Sequence, residues 1–180
     1  MAFFSALALV AGIVALVLLA SASGRAVAQE GIELGTDAAL SFDFSDPSAV
    51  TFELPVQSVR AGFLVTERIS VEPGLGLNYF KFEGEDAFLT LNLNLGALYH
   101  FGSEVRRGLY LRPALGLEFV DVGDESASRF SAGVGLGTKI PVADQVVTRL
   151  EASYRHAFEN DDAAGADLLG LSIGLSLFTR

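Results

Sequence analysis

The sequence contains no cysteine, no tryptophan and only 5 prolines in 180 residues. Without cysteine the chain can form neither a disulfide framework nor a thiolate metal or redox site. After residue 30 there is no apolar run of the roughly 18 residues that a helical membrane span needs. Basic residues are also few, 12 against 22 acidic ones, and the formal net charge is -10. A nucleic-acid partner is therefore not expected.

Apolar residues are abundant: they make up 51% of the chain, and the mean hydropathy is +0.43. The first segment, "AFFSALALVAGIVALVLLA", is uninterrupted apolar sequence, and Ala26-Val27-Ala28 follows it as a cleavage site of the A-x-A type. We therefore expect a signal peptide over 1–28, cleaved after Ala28, and one domain over 29–180. A retained anchor helix is the alternative, because no Lys or Arg precedes the apolar run and the run is long for a signal.

From residue 31 onward, apolar and polar residues alternate with period two, and short polar clusters interrupt the alternation about every 20 residues. Nearly every segment exceeds the roughly 9–11 residues that a tilted strand needs to cross a bilayer. The connections fall into two alternating sets, as expected for an even-stranded meander with both termini on one side. The predicted strands lie near 31–44, 49–65, 69–82, 87–101, 108–120, 129–140, 146–158 and 168–178.

The two faces of these strands differ sharply in charge. The apolar face is rich in leucine, and Lys81, at a strand end, is the one charged residue assigned to it. On a lipid-facing surface a charge near the bilayer midplane costs about 2–4 kcal/mol, which accounts for this exclusion. The polar face carries Glu33, Asp37, Asp43, Glu53, Arg60, Glu72, Arg112, Glu118, Arg129, Lys139, Arg149, Glu151 and Arg155.

Two soluble folds compete with a membrane barrel. A soluble barrel would have an apolar lumen and a charged exterior, the reverse of this pattern. A two-sheet sandwich would bury the leucines and expose the charges, and it stays open as an alternative. The many glycines of the polar face favour a narrow lumen crowded by long side chains. Aromatic residues near strand ends of the apolar face are typical of interfacial girdles: Phe42, Phe44, Tyr79, Phe101, Phe119, Tyr154 and Phe158.

The pattern therefore predicts an all-β protein, an eight-stranded antiparallel up-and-down transmembrane β-barrel preceded by a signal peptide. The second strand changes phase at Gln57-Ser58, where we expect a β-bulge. A barrel of eight strands has a lumen that side chains can fill. Because buried charges must be paired, we expect a charge-paired plug, with Glu72 and Arg112 as one cross-lumen pair.

The segments "GFLVTERISVEPGLGLNY", "VVTRLEASYRHAF" and "LLGLSIGLSLF" together resemble the small eight-stranded outer-membrane barrels related to the transmembrane domain of OmpA. The resemblance implies export through the periplasm to the outer membrane of a Gram-negative-type bacterium, with termini in the periplasm and loops outside. It also implies contact with outer-membrane lipids and lipopolysaccharide, and delivery by periplasmic chaperones and the barrel-assembly machinery. Terminal strands of the family usually end in an aromatic residue, whereas Phe178 is followed by Thr179-Arg180 and lies off the leucine parity.

Two histidines are candidates for chemistry. We place His100 on the lumen face near the periplasmic end and His156 on the lipid face near the outer end, too far apart for a shared metal site. The segment around His156 resembles that of lipid A deacylases, whose motif is His-x-Ser-Asn followed by a later acid. His156 would match the base and Asp167 the acid, but Phe158 occupies the place of the nucleophile. The next serine, Ser172, is expected to face the lumen.

The outer connections are predicted to be acidic, and "DVGDES" and "ENDD" could hold a divalent cation, although neither has the spacing of an EF-hand. A solvated negative rim is the simpler interpretation.

We assign no catalytic, cofactor or metal site and expect a monomeric, non-enzymatic barrel with a structural or surface- and lipid-contact role. The alternatives are a narrow small-solute channel, a divergent deacylase-like barrel without its serine, and a secreted soluble β-sandwich. The acidic residues of the predicted outer connections are Asp46, Glu83, Glu85, Asp86, Asp121, Asp124, Glu125, Glu159, Asp161 and Asp162.

Overall fold

The structure is a computed structural model that describes residues 31–45, 49–53, 58–80, 88–122, 125–160 and 164–179. Within these ranges no helix is long and apolar enough to cross a membrane. The regular elements are nine β-strands: β1 (Glu33–Asp43), β2 (Ala49–Glu53), β3 (Ser58–Thr66), β4 (Ile69–Phe80), β5 (Phe88–His100), β6 (Gly108–Val122), β7 (Glu125–Pro141), β8 (Val146–Ala157) and β9 (Ala166–Phe178).

The strands form one closed antiparallel barrel. From β3 to β9 each strand pairs with the next, and β1 closes the ring by pairing with β9 from Glu33↔Phe178 to Asp43↔Leu168. On its other edge β1 pairs with β2 near one end and with β3 near the other. Because β2 and β3 share this edge, the wall has eight strand positions, which confirms the predicted eight-stranded up-and-down barrel. Both ends of the described chain lie at the same end of the barrel, as predicted.

The predicted second strand is divided in two, and its phase changes between the parts. Leu40 of β1 pairs with Phe52 of β2. Continuing that register would pair Leu34 with Ser58, but Leu34 pairs with Ala61 of β3. The shift of three residues exchanges the residues that face the lumen with those that face outward, because side chains alternate along a strand. A phase change in this strand is therefore confirmed, whereas Gln57 of the predicted bulge lies outside the described residues.

One predicted connection is wrong. The sequence predicts an outer connection over 121–128, but β6 reaches Val122 and β7 begins at Glu125, with Asp121 paired to Ser126 and Val122 paired to Glu125. Ser126, Ala127 and Ser128 are small residues that a strand accepts as readily as a loop, so composition alone misled. "DVGDES" is therefore mostly ladder, and only residues 123 and 124 remain outside the described strands.

The leucine-rich face is the outside of the barrel. In β9 alone, Leu169, Leu171, Ile173, Leu175 and Leu177 are all about half exposed. By contrast Glu72, Lys139 and Arg149 of the polar face are at most 4% exposed. The predicted orientation is confirmed, and a soluble sandwich, which would bury the leucines and expose the charges, is excluded. Aromatic side chains near strand ends are exposed as well, as a girdle requires: Phe44, Tyr79, Phe101, Tyr154 and Phe158.

Two prolines lie inside strands of this closed wall, and each interrupts one ladder only. Pro73 of β4 keeps its pairing with Leu95 of β5, but the β3–β4 ladder lacks its rungs at this level. Pro113 of β6 pairs with Val134 of β7, while the ladder to β5 is interrupted. Since proline has no N–H to donate, the missing rungs are the expected consequence.

Candidate functional site in the barrel lumen

The lumen is filled by polar side chains, and the glycines of the wall make room for them. A methyl group added at Gly135 would lie 2.6 Å from Glu151 Oε1, and one at Gly96 would lie 2.7 Å from Arg112 Nε. An added methyl at Gly35 would likewise meet the guanidinium of Arg60. The prediction that the glycines accommodate long charged side chains in a narrow lumen is thus confirmed.

The half of the lumen nearest the chain termini holds a network of four carboxylates and four cations. We call this set the plug. It joins strands around the whole wall, and its charges balance, as buried charges must to be tolerated. The plug consists of Glu33, Asp37, Glu72 and Glu151 with Arg60, Arg112, Lys139 and Arg149.

Arg149 of β8 contacts three carboxylates of the plug, as many as Arg60 does. Its guanidinium lies 2.5 Å from Glu72, 3.2 Å from Glu151 and 3.8 Å from Glu33. Its Nε also donates to the Tyr110 hydroxyl at 3.1 Å, and that hydroxyl donates onward to Glu151 Oε2 at 2.9 Å. Removing this one cation would affect three buried anions at once.

Arg60 of β3 and Lys139 of β7 are two further cations of the plug, and Lys139 lies directly beside Arg149 in the β7–β8 ladder. Arg60 donates to Asp37 at 2.6 Å and to Glu33 at 3.1 Å, and its remaining nitrogen donates to the Ser176 hydroxyl at 2.8 Å. Lys139 donates to Glu33 Oε2 at 2.5 Å. Both cations share Glu33 of β1: Arg60 reaches it from the neighbouring strand β3, and Lys139 reaches it across the lumen from β7.

The predicted pair of Glu72 and Arg112 is confirmed as an ion pair, with Arg112 Nε 3.3 Å from Glu72 Oε1. Neither of these two atoms has a hydrogen-bond partner within the described part of the chain. Arg112 donates its hydrogen bonds instead to Glu151 Oε1 at 3.1 Å and to Asn94 Oδ1 at 3.4 Å. Arg112 therefore supports the plug from its outer side rather than holding its centre.

Below the plug, the terminal side of the lumen is sealed by apolar groups. Val105, in the turn between β5 and β6, is 5% exposed and packs with Val147 and Phe178. The guanidinium of Arg106 stacks over the Phe178 ring, 4.9 Å from its centroid, and donates to the backbone oxygen of Asp144 at 3.1 Å. We call Val105, Val147 and Phe178 the apolar seal. Phe178 lies inside the barrel, in agreement with its place off the leucine parity.

Above the plug, the lumen keeps a cavity of about 230 Å³. Its floor includes Arg112 and Glu151 of the plug, and it extends to Ala157 and Leu168, near the outer ends of β8 and β9. We call it the outer cavity. Its polar lining consists mainly of Asn92, Asn94, Glu118, Arg129, Ser131, Ser153, Arg155 and Ser172.

The two histidines lie where the sequence places them. His100 is buried in the lumen, with Nε2 2.9 Å from the Ser70 hydroxyl. His156 lies on the outer wall, and its Nδ1 is 2.8 Å from Asp167 Oδ1, which also accepts a 2.6 Å hydrogen bond from the Tyr154 hydroxyl. This hydrogen bond joins the two residues that the resemblance to lipid A deacylases matches with a base and an acid. Phe158 packs edge-on against the imidazole, 4.8 Å between ring centroids.

Ser172 does not approach the hydrogen-bonded pair of His156 and Asp167, because it lines the outer cavity on the other side of the wall. A histidine, a carboxylate and a serine hydroxyl are therefore not assembled from these residues. Within the described ranges no group of three or more His, Asp or Glu side chains could hold a metal ion. Of the acidic outer connections, 46–48, 81–87, 123–124 and 161–163 lie outside the described residues.

Comparison with known proteins agrees with this geometry. The profile of the outer membrane protein beta-barrel domain matches residues 11–177, nearly the whole chain. The chain belongs to this family. As an outer-membrane barrel of a Gram-negative-type bacterium it contacts the lipids and lipopolysaccharide of that membrane. A comparison with curated protein sequences finds no match.

Among solved structures, this outer-membrane barrel is similar to Neisserial surface protein A, with 22% identity, a TM-score of 0.59, and coverage of 82% of this chain and 96% of that one. It is similar to the outer membrane protein AlkL at 14% identity and a TM-score of 0.50, with coverage of 84% and 91%. The outer membrane enzyme PagL matches at 13% identity and a TM-score of 0.44, with coverage of 77% and 97%. Identities this low indicate a shared fold only.

Three features of the lumen escaped sequence reasoning. The parity of the strands places Arg149 and Tyr110 inside the barrel, but it gives no reason to choose Arg149 over the other cations. The apolar seal depends on a turn residue, Val105, which no strand pattern covers. The outer cavity results from the heights at which long and short side chains meet, and these heights follow from strand stagger rather than from local sequence.

Proposed function

We propose that this outer-membrane barrel is a non-enzymatic structural protein whose lumen is closed, and that it acts through its outer wall and surface in membrane integrity or lipid contact. The observation that carries the proposal is the plug, eight mutually paired charges across the lumen, with the apolar seal beneath it. A permeating solute would have to separate buried ion pairs, whose disruption is strongly unfavourable.

Planar-bilayer recording tests the closed lumen. The purified protein is expected to produce no discrete conductance steps at moderate voltage. Arg112→Ala, which removes an outer cation of the plug, is expected to lower stability or to introduce a leak. Regular conductance steps from the unaltered protein would contradict the proposal and favour the alternative of a narrow small-solute channel.

Biogenesis follows the same proposal. Residues 1–28 would be removed as a signal peptide after Ala28, and periplasmic chaperones and the barrel-assembly machinery would insert residues 29–180 as a monomer. N-terminal sequencing of the protein purified from outer membranes would test the cleavage. A first residue other than Gln29 would overturn that part of the proposal, and a retained anchor helix would give the uncleaved N-terminus.

A lipid A deacylase-like activity is a second candidate, favoured by the hydrogen bond between His156 and Asp167. The side chain two residues after this histidine is Phe158, which has no hydroxyl, and an acyl transfer of this kind needs an activated nucleophile next to the base. We therefore expect no fatty acid release when the protein is incubated with lipopolysaccharide. Free acyl chains detected by mass spectrometry, and abolished by His156→Gln, would establish the enzyme instead.

A further inference from the structure

If the lumen is closed as proposed above, the outer cavity opens only at the outer end of the barrel and is not part of a pore. Its floor is the Arg112–Glu151 ion pair of the plug, with 3.1 Å between the charged atoms. Its walls carry serine hydroxyls and asparagine amides alongside apolar groups of alanine and leucine residues. A polar solute that enters from the outer end therefore meets hydrogen-bonding groups and stops at the plug.

The residues that line the outer cavity carry more positive than negative charge. Three arginines, Arg112, Arg129 and Arg155, face two glutamates, Glu118 and Glu151. Both glutamates are already paired, Glu118 with Arg129 at 3.1 Å and Glu151 with Arg112 at 3.1 Å. Arg155 takes part in no ion pair within the part of the chain that the structure describes.

We propose that the outer cavity binds a small oxyanion, the carboxylate or phosphate group of a soluble solute, through the guanidinium of Arg155. A guanidinium presents paired N–H donors that match two oxygens of a carboxylate or phosphate. Ser153 and Ser172 supply hydroxyl donors from neighbouring strands of the same cavity. A volume of about 230 Å³ limits the occupant to a small molecule.

The binding can be measured by isothermal titration of the full-length purified protein in detergent free of lipopolysaccharide. The probes are inorganic phosphate and succinate, with glucose as the neutral comparison, at about 0.15 M salt, where charges on the outer rim are screened beyond roughly 8 Å. Phosphate and succinate are expected to bind and glucose is not. Absence of binding by both anions, or equal binding of glucose, would overturn the proposal.

Arg155→Gln identifies the residue responsible. It removes a cation without breaking a described ion pair, so the barrel should fold normally. Loss of a charge-assisted contact should weaken anion binding about tenfold or more. The control is Arg107→Gln, which removes the same charge from the exposed turn at the opposite end, and it should bind like the unaltered protein. Equal affinity in both variants would refute the role of Arg155.

Two further readouts separate the possible sources of failure. Conductance steps from the same preparation would refute the closed lumen, whereas titration would still report whether Arg155 binds an anion. Adding lipopolysaccharide tests the source of the oxyanion. Unchanged phosphate binding supports a soluble solute, while competitive loss of binding would assign the cavity to lipid phosphate and overturn the proposed source.

Discussion

Arg149 should be the cation on which the barrel depends most. Replacing it with methionine keeps a long, flexible side chain but removes the charge from the centre of the plug. Glu72 would lose its 2.5 Å partner and keep Arg60 at 3.3 Å and Arg112 at 3.3 Å. Glu151 would lose one of its two cations, and the Tyr110 hydroxyl would lose the donor at 3.1 Å.

The expected loss of unfolding free energy depends on how many cations each carboxylate keeps when Arg149 is replaced. Removing one partner of a buried ion pair typically costs about 3–5 kcal/mol. Because all three glutamates that Arg149 contacts keep other cations, we expect Arg149→Met to lower the free energy of unfolding by about 3 kcal/mol, near the low end of that range. Arg112→Met should cost less, about 1–2 kcal/mol, because it removes one hydrogen bond to a charged group and its Glu72 contact is not hydrogen-bonded.

Urea unfolding in lipid vesicles measures these values. The gel shift between folded and heated protein reports the folded fraction, and circular dichroism replaces tryptophan fluorescence because the chain contains no tryptophan. Arg107→Met, in an exposed turn, is the matched control and should leave stability within about 0.5 kcal/mol. If Arg149→Met were no less stable than Arg107→Met, the plug would not be a stabilising network and the reasoning would fail.

Three further substitutions examine other parts of the barrel by the same unfolding assay. Gly135→Ala should destabilise the barrel by about 1–3 kcal/mol, because the added methyl meets a glutamate oxygen at 2.6 Å. The control Gly102→Ala, where the nearest atom is 3.9 Å away, should be neutral. Equal effects of the two substitutions would contradict a crowded lumen. Phe178→Ala opens the apolar seal and should cost about 3–5 kcal/mol; a neutral result would show that the seal is loose. Leu115→Arg should cost about 2–4 kcal/mol on the lipid face, and a cost no greater than that of Val142→Arg, in a turn, would argue against lipid contact there.

The strands of the barrel were predictable because side-chain parity carries the signal. The alternation of leucine with asparagine in 89–95, and the exclusion of charge from one face, are direct consequences of a wall with lipid on one side and paired charges on the other. The same parity placed Glu72, Arg112, His100 and His156 on their correct faces. Each of these inferences needed only the period of two along a regular strand.

Depth within the barrel was not predictable in the same way. Parity shows that Arg149 and Arg155 both face the lumen, but not that Arg149 meets three carboxylates while Arg155 meets none among the described residues. Those contacts depend on the stagger between strands, which the sequence of a single strand does not contain. The continuation of β6 to Val122 and the start of β7 at Glu125 do not follow from local sequence, because the polar residues there favour turns and are held in strands by the pairing of β6 with β7.

Spin-label accessibility along β9 tests most directly whether the leucines face lipid while the alternating polar side chains face a closed lumen. Because the chain has no cysteine, single cysteines at Leu169, Leu171, Ile173 and Leu175, and at Ser172 as the lumen position, can each carry a nitroxide in lipid vesicles. Oxygen, which concentrates in the bilayer, is expected to relax the four apolar positions strongly and Ser172 weakly. Strong relaxation by a water-soluble nickel chelate at the leucine positions, with Ser172 the more oxygen-accessible site, would contradict it.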